Sequence, residues 1–269
     1  MSTPGTAARS LAFLALAALA ACGSAPTPPD RRAAPAQVPA GFPAEFYERA
    51  AARGDNVQRV DPAGSLVTLT VGRAGSLARL GHDHVIASRS VQGYVAPGLG
   101  RADLYVPLAE LTVDEAALRA QAGLATQPTD ADIEGTRSNM RDKVLQVQAF
   151  PYALVRVRNV EPQALSPGRT QAFVSVTLLG ITRTSTVPLD LDTTPEETTA
   201  RGTLQLKQSD FGIAPFSLFG GALQVKDEVE VRFELRARKA IYPAPITVIF
   251  PSRSSMASAT REKSALPSA

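Results

Sequence analysis

Glu228-Val229-Glu230-Val231-Arg232-Phe233-Glu234-Leu235-Arg236-Ala237-Arg238 alternates charged and apolar residues without a break. In an extended chain, successive side chains point to opposite faces of the sheet. Val229, Val231, Phe233, Leu235 and Ala237 therefore share one face, and Glu228, Glu230, Arg232, Glu234, Arg236 and Arg238 share the other. One buried and one wet face are what an antiparallel sheet covered on one side requires. The rule repeats upstream. Val67, Leu69 and Val71 alternate with Thr68 and Thr70, and Ala102, Leu104, Val106 and Leu108 with Asp103 and Tyr105. Ala153, Val155 and Val157 alternate with Arg156 and Arg158. Val187, Leu189 and Leu191 follow the same period, as do Leu204 and Leu206 against Thr203, Gln205 and Lys207. About eight short strands between residues 57 and 240 predict an all-β sandwich or barrel.

Helical signals interrupt this pattern. Thr112-Val113-Asp114-Glu115 reads as a capping box ahead of Ala116–Gln121. A second helix is expected from Thr129-Asp130-Ala131-Asp132 through Met140 to Leu145. Such an insertion between two strands would lie across one end of a barrel, as a lid or a plug. A further short helix is expected over Ala44–Arg53.

The two histidines of the 269-residue chain stand two apart in Leu80-Gly81-His82-Asp83-His84-Val85-Ile86. At strand spacing both imidazoles project to one face, together with Leu80 and Ile86, which read as core-facing. Histidine is the commonest metal ligand. Two imidazoles fall short of the four ligands of a closed zinc site and of the three that a catalytic one needs. Alternation also aims Asp83 at the opposite face. No metal site and no cofactor is expected from this pair. No G-x-S-x-G elbow, phosphate loop or dinucleotide fingerprint occurs, so no catalytic residue is assigned and the chain is not read as an enzyme.

The ends of the chain address it. Residues 1–22 read as an export signal: Arg9, then the apolar run Leu11–Ala18, too short to span a bilayer, then Leu19-Ala20-Ala21-Cys22-Gly23. That ending resembles the bacterial lipobox, in which the cysteine is acylated and becomes the mature N-terminus. Cys22 is the chain's single cysteine, so the folded part has no disulfide and depends on its apolar core. Gly23 in place of an acidic residue reads as an outer-membrane address, which makes the protein periplasmic and lipid-anchored. Two or more acyl chains hold a protein stably. Residues 23–56 comprise a Pro/Ala-rich tether and the short helix. Residues 241–269 form an extension: Ile241–Phe250 is apolar but carries Pro243 and Pro245, and 252–269 reads as disordered. The formal net charge of +3 is too small and dispersed for nucleic-acid binding.

Taken in order, several segments resemble the YceI-like family of bacterial periplasmic proteins, named for polyisoprenoid binding. They are Asp61-Pro62-Ala63-Gly64-Ser65, Gly81-His82-Asp83-His84, Gly135–Met140 with Val144-Leu145, Phe150-Pro151-Tyr152 and Leu178-Leu179-Gly180-Ile181-Thr182-Arg183. Lys207–Ile213 with Val225–Val229 completes the set. The resemblance covers about residues 57–240. It implies an eight-stranded, lipocalin-like antiparallel β-barrel around an apolar channel. The implied ligand is an isoprenoid, quinone or fatty-acyl type of lipid, bound by a monomer or homodimer. The lipobox and tether depart from many members of the family. Leu80, His82, His84, Phe150, Tyr152, Phe211, Phe216 and Phe219 are the candidate ligand-binding residues, with an imidazole at the lipid's polar head. Gly220-Gly221 would let the following loop move, or simply make a turn. Arg137 and Arg141 would offer an anionic head group a partner, or form a solvated helix face. An isoprene unit brings about 3–4 kcal/mol of burial at about 0.8 kcal/mol per methylene, so tails bind readily and tail length is poorly discriminated. Two other readings remain open: a structural or interaction barrel filled by its own side chains, and a metal-binding periplasmic enzyme using His82 and His84.

Overall fold

A computed structural model describes residues 38–162 and 169–240. The export signal, Cys22, the Pro/Ala-rich stretch and the 241–269 extension lie outside the described residues. In chain order the elements are α1 (Ala44–Ala52), β1 (Gln58–Val60), β2 (Leu66–Ala74), β3 (His84–Ser88), β4 (Gln92–Ala96) and β5 (Arg101–Pro107). An excursion follows: β6 (Thr112–Val113), α2 (Ala116–Gln121) and α3 (Asp130–Asn139), which runs on as a π-helical turn over Met140–Val144. The chain then returns to the wall with β7 (Tyr152–Pro162), β8 (Arg169–Leu178), β9 (Ile181–Thr193), β10 (Glu197–Lys207), β11 (Ser217–Leu218) and β12 (Leu223–Lys239).

β1, β4, β5, β7, β8, β9, β10 and β12 pair antiparallel in that order, and β12 pairs back onto β1. Eight strands thus close a barrel, as expected, and closure removes the exposed edges of an open sheet. One edge of β12 serves two strands. Its last residues pair with β1 (Gln58↔Lys239, Val60↔Ala237), and its earlier ones pair with β2 from Leu66↔Glu234 to Ala74↔Gln224. Asp61–Ser65 separates β1 from β2 as a tight turn. Within it the buried Ser65 hydroxyl accepts from the Arg236 amide at 3.0 Å and donates to the Asp61 carbonyl at 2.8 Å. A side chain thereby keeps the ladder satisfied where the backbone leaves it. At the end where β12 begins, the upper end, β3 pairs with β2 and β6 with β3. At the lower end β1 pairs with β4.

The alternating residues face inward as their period requires. Val60, Val91, Ala102 and Leu104 pack with Val67, Val155, Val157 and Leu235 in the lower interior. Ala172, Val174, Val187 and Leu189 pack with Leu191, Ala200, Leu204 and Phe233 on the facing wall. The Phe233 ring lies over Gly202, where an added Cβ would stand 2.6 Å from Cζ. In the upper interior the filling comes from the excursion: Leu108, Leu111, Val113, Met140 and Leu145, with Phe211 and Ile213.

Two expectations need correction. Thr112 and Val113 are strand rather than helix cap. The Thr112 hydroxyl donates to the Glu115 carboxylate at 2.6 Å instead of capping a backbone amide, and α2 starts only at Ala116. The second capping box is present as read, with Thr129 and Asp132 exchanging hydrogen bonds at the start of α3. The outer face of β5 is not wet either. Asp103 is 1% and Tyr105 4% exposed, because α1 and the chain before it cover that wall. The Tyr47 hydroxyl donates to Asp103 at 2.7 Å, and Arg101 and Arg158 each donate to the same carboxylate at 2.8 Å. Burial, then the Asp103 contact, holds the Tyr47 phenol well above its ordinary range. Phe42 packs edge-on against Tyr105 at 4.9 Å.

Because Gly202 leaves space for Phe233, Gly202→Ala should overpack the lower core and cost about 1–3 kcal/mol. Urea denaturation would show the lowered midpoint; an unchanged midpoint would mean that the ring moves aside freely.

Candidate functional site

The upper interior holds a cavity of about 110 Å³. Its walls are Leu69, Val71, Ile86, Leu178, Leu206 and Val229 from the strands. Leu111, Met140, Val144 and Leu145 from the excursion close one side, and Phe211 and Ile213 after β10 close another. The lining is apolar apart from Lys207 and Gln208 at its edge. Inward residues around it, including Leu69, Val71, Val176, Leu178, Leu204 and Leu206, are half-buried.

β9 and β10 share ladder pairs only from Thr198↔Thr193 to Gly202↔Leu189. Above that the two strands part. Arg183 and Ser185 stand opposite Val176 and Val174 on β8, hence on the inner face of the wall, yet both are exposed. The Arg183 guanidinium donates to the Thr182 carbonyl at 3.1 Å, and among the described residues no carboxylate pairs with it.

The histidine pair sits at the upper rim, at the start of β3. His84 Nδ1 lies 2.6 Å from Asp114 Oδ2. The same carboxylate, fully buried, accepts from the Val85 amide at 3.0 Å and from the Arg119 guanidinium at 2.6 Å. Asp114 takes φ 55, a left-handed conformation that aspartate tolerates better than most residues. Arg119, also buried, reaches on to the Asp83 carbonyl at 2.8 Å and to Thr126. Burial pushes the Asp114 carboxyl up, but the bonds from His84, Val85 and Arg119 outweigh it and hold the group below its ordinary range. His82 Nε2 faces Asp132, the capping residue of α3, at 3.9 Å, and its ring lies 6.4 Å from that of His84. Asp83 turns to Arg73, accepting from its amide at 2.8 Å. Among the described residues no three His, Cys, Asp or Glu side chains assemble as a metal would require. Through Asp114 and Arg119 the His84 network ties α2 to the barrel rim, and His82 faces the first turn of α3.

Of the candidate ligand-binding residues, Phe211 alone lines the cavity, and it is 2% exposed. Leu80 is 64% exposed, because the chain turns over Ala78–Leu80 and strand alternation begins only at His84. Phe219 is 75% exposed on the turn before β12. Tyr152 is one residue out of phase with inward Ala153, so it lies on the outer wall, edge-on to Tyr105 at 5.8 Å. Phe150 packs near Gly180, and Phe216 lies under the Lys143 ammonium at 5.7 Å. Arg137 pairs with Glu134 on the exposed side of α3 at 2.8 Å. The strand lining, by contrast, was present in the alternation. Arg183 was quoted only as the end of the Leu178–Arg183 segment, and Arg119 and Ser185 carried no sequence signal, since their positions come from strand splay and from a fold-back of the chain.

Because Asp114 is held below its ordinary range, its contribution to stability is present above about pH 4 and is lost as the pH falls through its depressed folded value. Asp114→Asn keeps the left-handed backbone but leaves Arg119 buried without a counter-charge. It should cost about 3–5 kcal/mol at neutral pH and flatten the acid limb of the stability profile. Equal acid limbs for the two proteins in chemical denaturation would show that Asp114 is not its source.

A family profile described as the YceI-like domain matches residues 59–237. No curated protein sequence matches the chain. Among solved structures, a polyisoprenoid binding domain from Saccharophagus degradans aligns at 14% identity, over 69% of this chain and 99% of its own, with a TM-score of 0.48. Burkholderia cenocepacia BcnA aligns at 18% identity over 66% of this chain and 98% of its own, with a TM-score of 0.46. The Campylobacter jejuni YCEI protein aligns at 10% identity over 52% of this chain and 73% of its own, with a TM-score of 0.36.

Proposed function

We propose that this chain, which belongs to the YceI-like domain family, is a periplasmic lipoprotein that binds or carries an isoprenoid-like or other amphiphilic lipid. Acylated Cys22 would anchor it to the outer membrane. The observation that carries the binding reading is the cavity's lining: apolar walls from five strands and the excursion, with Lys207 and Gln208 the polar residues among them. That is the usual design of a site for an apolar ligand. The mechanism is sequestration. Leu69, Val71, Leu178, Leu206 and Val229 replace the tail's contact with water. Arg183 and Ser185, at the parting of β9 and β10, supply charge and a hydroxyl where a polar head would emerge. In this reading the head group lies away from His82 and His84, whose rings stand against Asp132 and Asp114.

The cavity's 110 Å³ is below the roughly 300–1,000 Å³ of ordinary ligand pockets. A tail of several isoprene units therefore needs Met140, Val144 and Leu145 to move outward. These residues sit on the π-helical turn and just after it, and π-turns are frequent at functional positions. The packed lower interior favours a second reading, a structural barrel filled by its own side chains.

Extraction of the purified full chain with organic solvent, followed by mass spectrometry, decides between them. A stoichiometric lipid is expected, and Leu206→Gln should lower its retention about tenfold, equivalent to about 1.4 kcal/mol. Repeated absence of lipid would favour the filled barrel. For the anchor, Cys22→Ser should shift the protein from the membrane to the soluble periplasmic fraction, and membrane retention of that variant would sink the lipobox reading.

A further inference from the structure

We infer that the tip built by the β2–β3 turn and the β11–β12 turn seats on an anionic lipid bilayer. Leu80, Leu218 and Phe219 are 64%, 44% and 75% exposed there. Among the described residues, the other exposed large apolar side chains, Val38, Leu99 and Phe173, sit singly on separate elements.

The tip is a built feature. The Leu77 amide donates to the Ala222 carbonyl at 2.7 Å, and the Val225 amide to the Phe216 carbonyl at 2.9 Å. Leu218 pairs with Leu223 across the β11–β12 ladder. A Cβ on Gly81 would stand 2.9 Å from Leu223 Cδ1, so the two turns touch. Phe219 takes φ 52, a left-handed conformation that a bulky aromatic rarely adopts, and it is followed by Gly220 and Gly221 at φ 64 and 93. Strained backbone thus coincides with the most exposed aromatic ring, where burial elsewhere would be the ordinary outcome.

Charge selects the partner. The β2–β3 turn carries Arg73 and Arg79 against one acidic residue, Asp83, and Lys226 is followed by Asp227, which accepts from the Ser209 amide at 2.8 Å. Arg73 is engaged by Asp83 at 3.7 Å, while Arg79 and Lys226 are exposed. Aromatic and leucine side chains flanked by two exposed cations, Arg79 and Lys226, match the boundary between anionic head groups and acyl chains. The tip also adjoins the cavity cover: Phe216 at its base lies under Lys143, whose neighbour Val144 lines the cavity. Contact with the bilayer would bring that cover to the source of the lipid. The inference rests on the lipobox reading only for bringing the protein to a membrane.

The chain contains no tryptophan, so Phe219→Trp in the full chain introduces a unique reporter, with Phe173→Trp on the barrel wall as its control. Each is mixed with vesicles of phosphatidylethanolamine and phosphatidylglycerol, with and without lipid brominated along the acyl chain. The Phe219→Trp emission should move to shorter wavelength and lose about half its intensity to the brominated lipid, as for a ring buried 5–10 Å at the boundary. The Phe173→Trp emission should not change. Reversing Arg79 and Lys226 to glutamate should abolish the quenching. Emission indifferent to vesicles, equal quenching of the control, or quenching that survives charge reversal would each overturn the inference. So would a wavelength shift without vesicles that grows with protein concentration, which would mark self-association. Extraction of the same preparation reads the cavity ligand independently, so a lipid-loaded protein with a dry tip would overturn this inference alone.

Discussion

Strand β12 must satisfy, along one edge, the hydrogen-bonding groups of two different strands, and the shape of the barrel follows from how that edge is divided. Its lower part closes the ring through β1, and its upper part carries β2, with β3 and β6 beyond. The change of partner falls at Asp61–Ser65, where the Ser65 hydroxyl stands in for a missing backbone group. Buried backbone donors and acceptors must be paired, so the chain cannot switch partners without such a substitute. With the switch in place, the lower wall is tight and filled by the wall's own side chains. The upper wall is wider, and part of its filling comes from elsewhere in the chain.

That borrowed filling makes the upper end a candidate site. Met140, Val144 and Leu145 belong to an excursion held at the rim by polar contacts, chiefly the buried Asp114 with His84 and Arg119. A network of this kind is geometrically specific, since each member is costly to leave unpaired. The contacts beneath it are apolar and non-directional. A segment anchored at one end by fixed polar bonds and resting elsewhere on apolar surface can pivot without breaking its anchor. Binding of a lipid tail requires that property of the cover. The parting of β9 from β10 adds an opening with Arg183 and Ser185 on the lumen side.

Legibility in the sequence tracked how local each signal was. The Val229–Ala237 alternation placed its residues on the inner face, because a period of two is a property of the extended chain itself. The helix at Asp130 announced itself through the Thr129–Asp132 box for the same reason. At Thr112 a similar local pattern misled: pairing of Val113 with Ile86 across space outweighed the cap. Asp103 and Tyr105 read as solvent-facing and are buried under α1, whose docking no local pattern reveals. The places of the aromatic residues were not legible either, since Tyr152 and Phe219 are distinguished from Phe211 only by which wall or turn they occupy.

By itself the sequence determined that the chain forms an antiparallel β structure with a helical insertion, which strand faces are apolar, and where a lipobox-like cysteine and a proline-rich stretch stand. Tertiary structure alone decided that β12 closes on β1, that the insertion fills the upper lumen, and that His84 meets the buried Asp114 while His82 faces Asp132. The division has a physical cause. Periodicity and capping are short-range consequences of backbone geometry, readable within a few residues. Closure, burial of an outer face and assembly of a polar network depend on contacts between segments tens to hundreds of residues apart, which no local window contains.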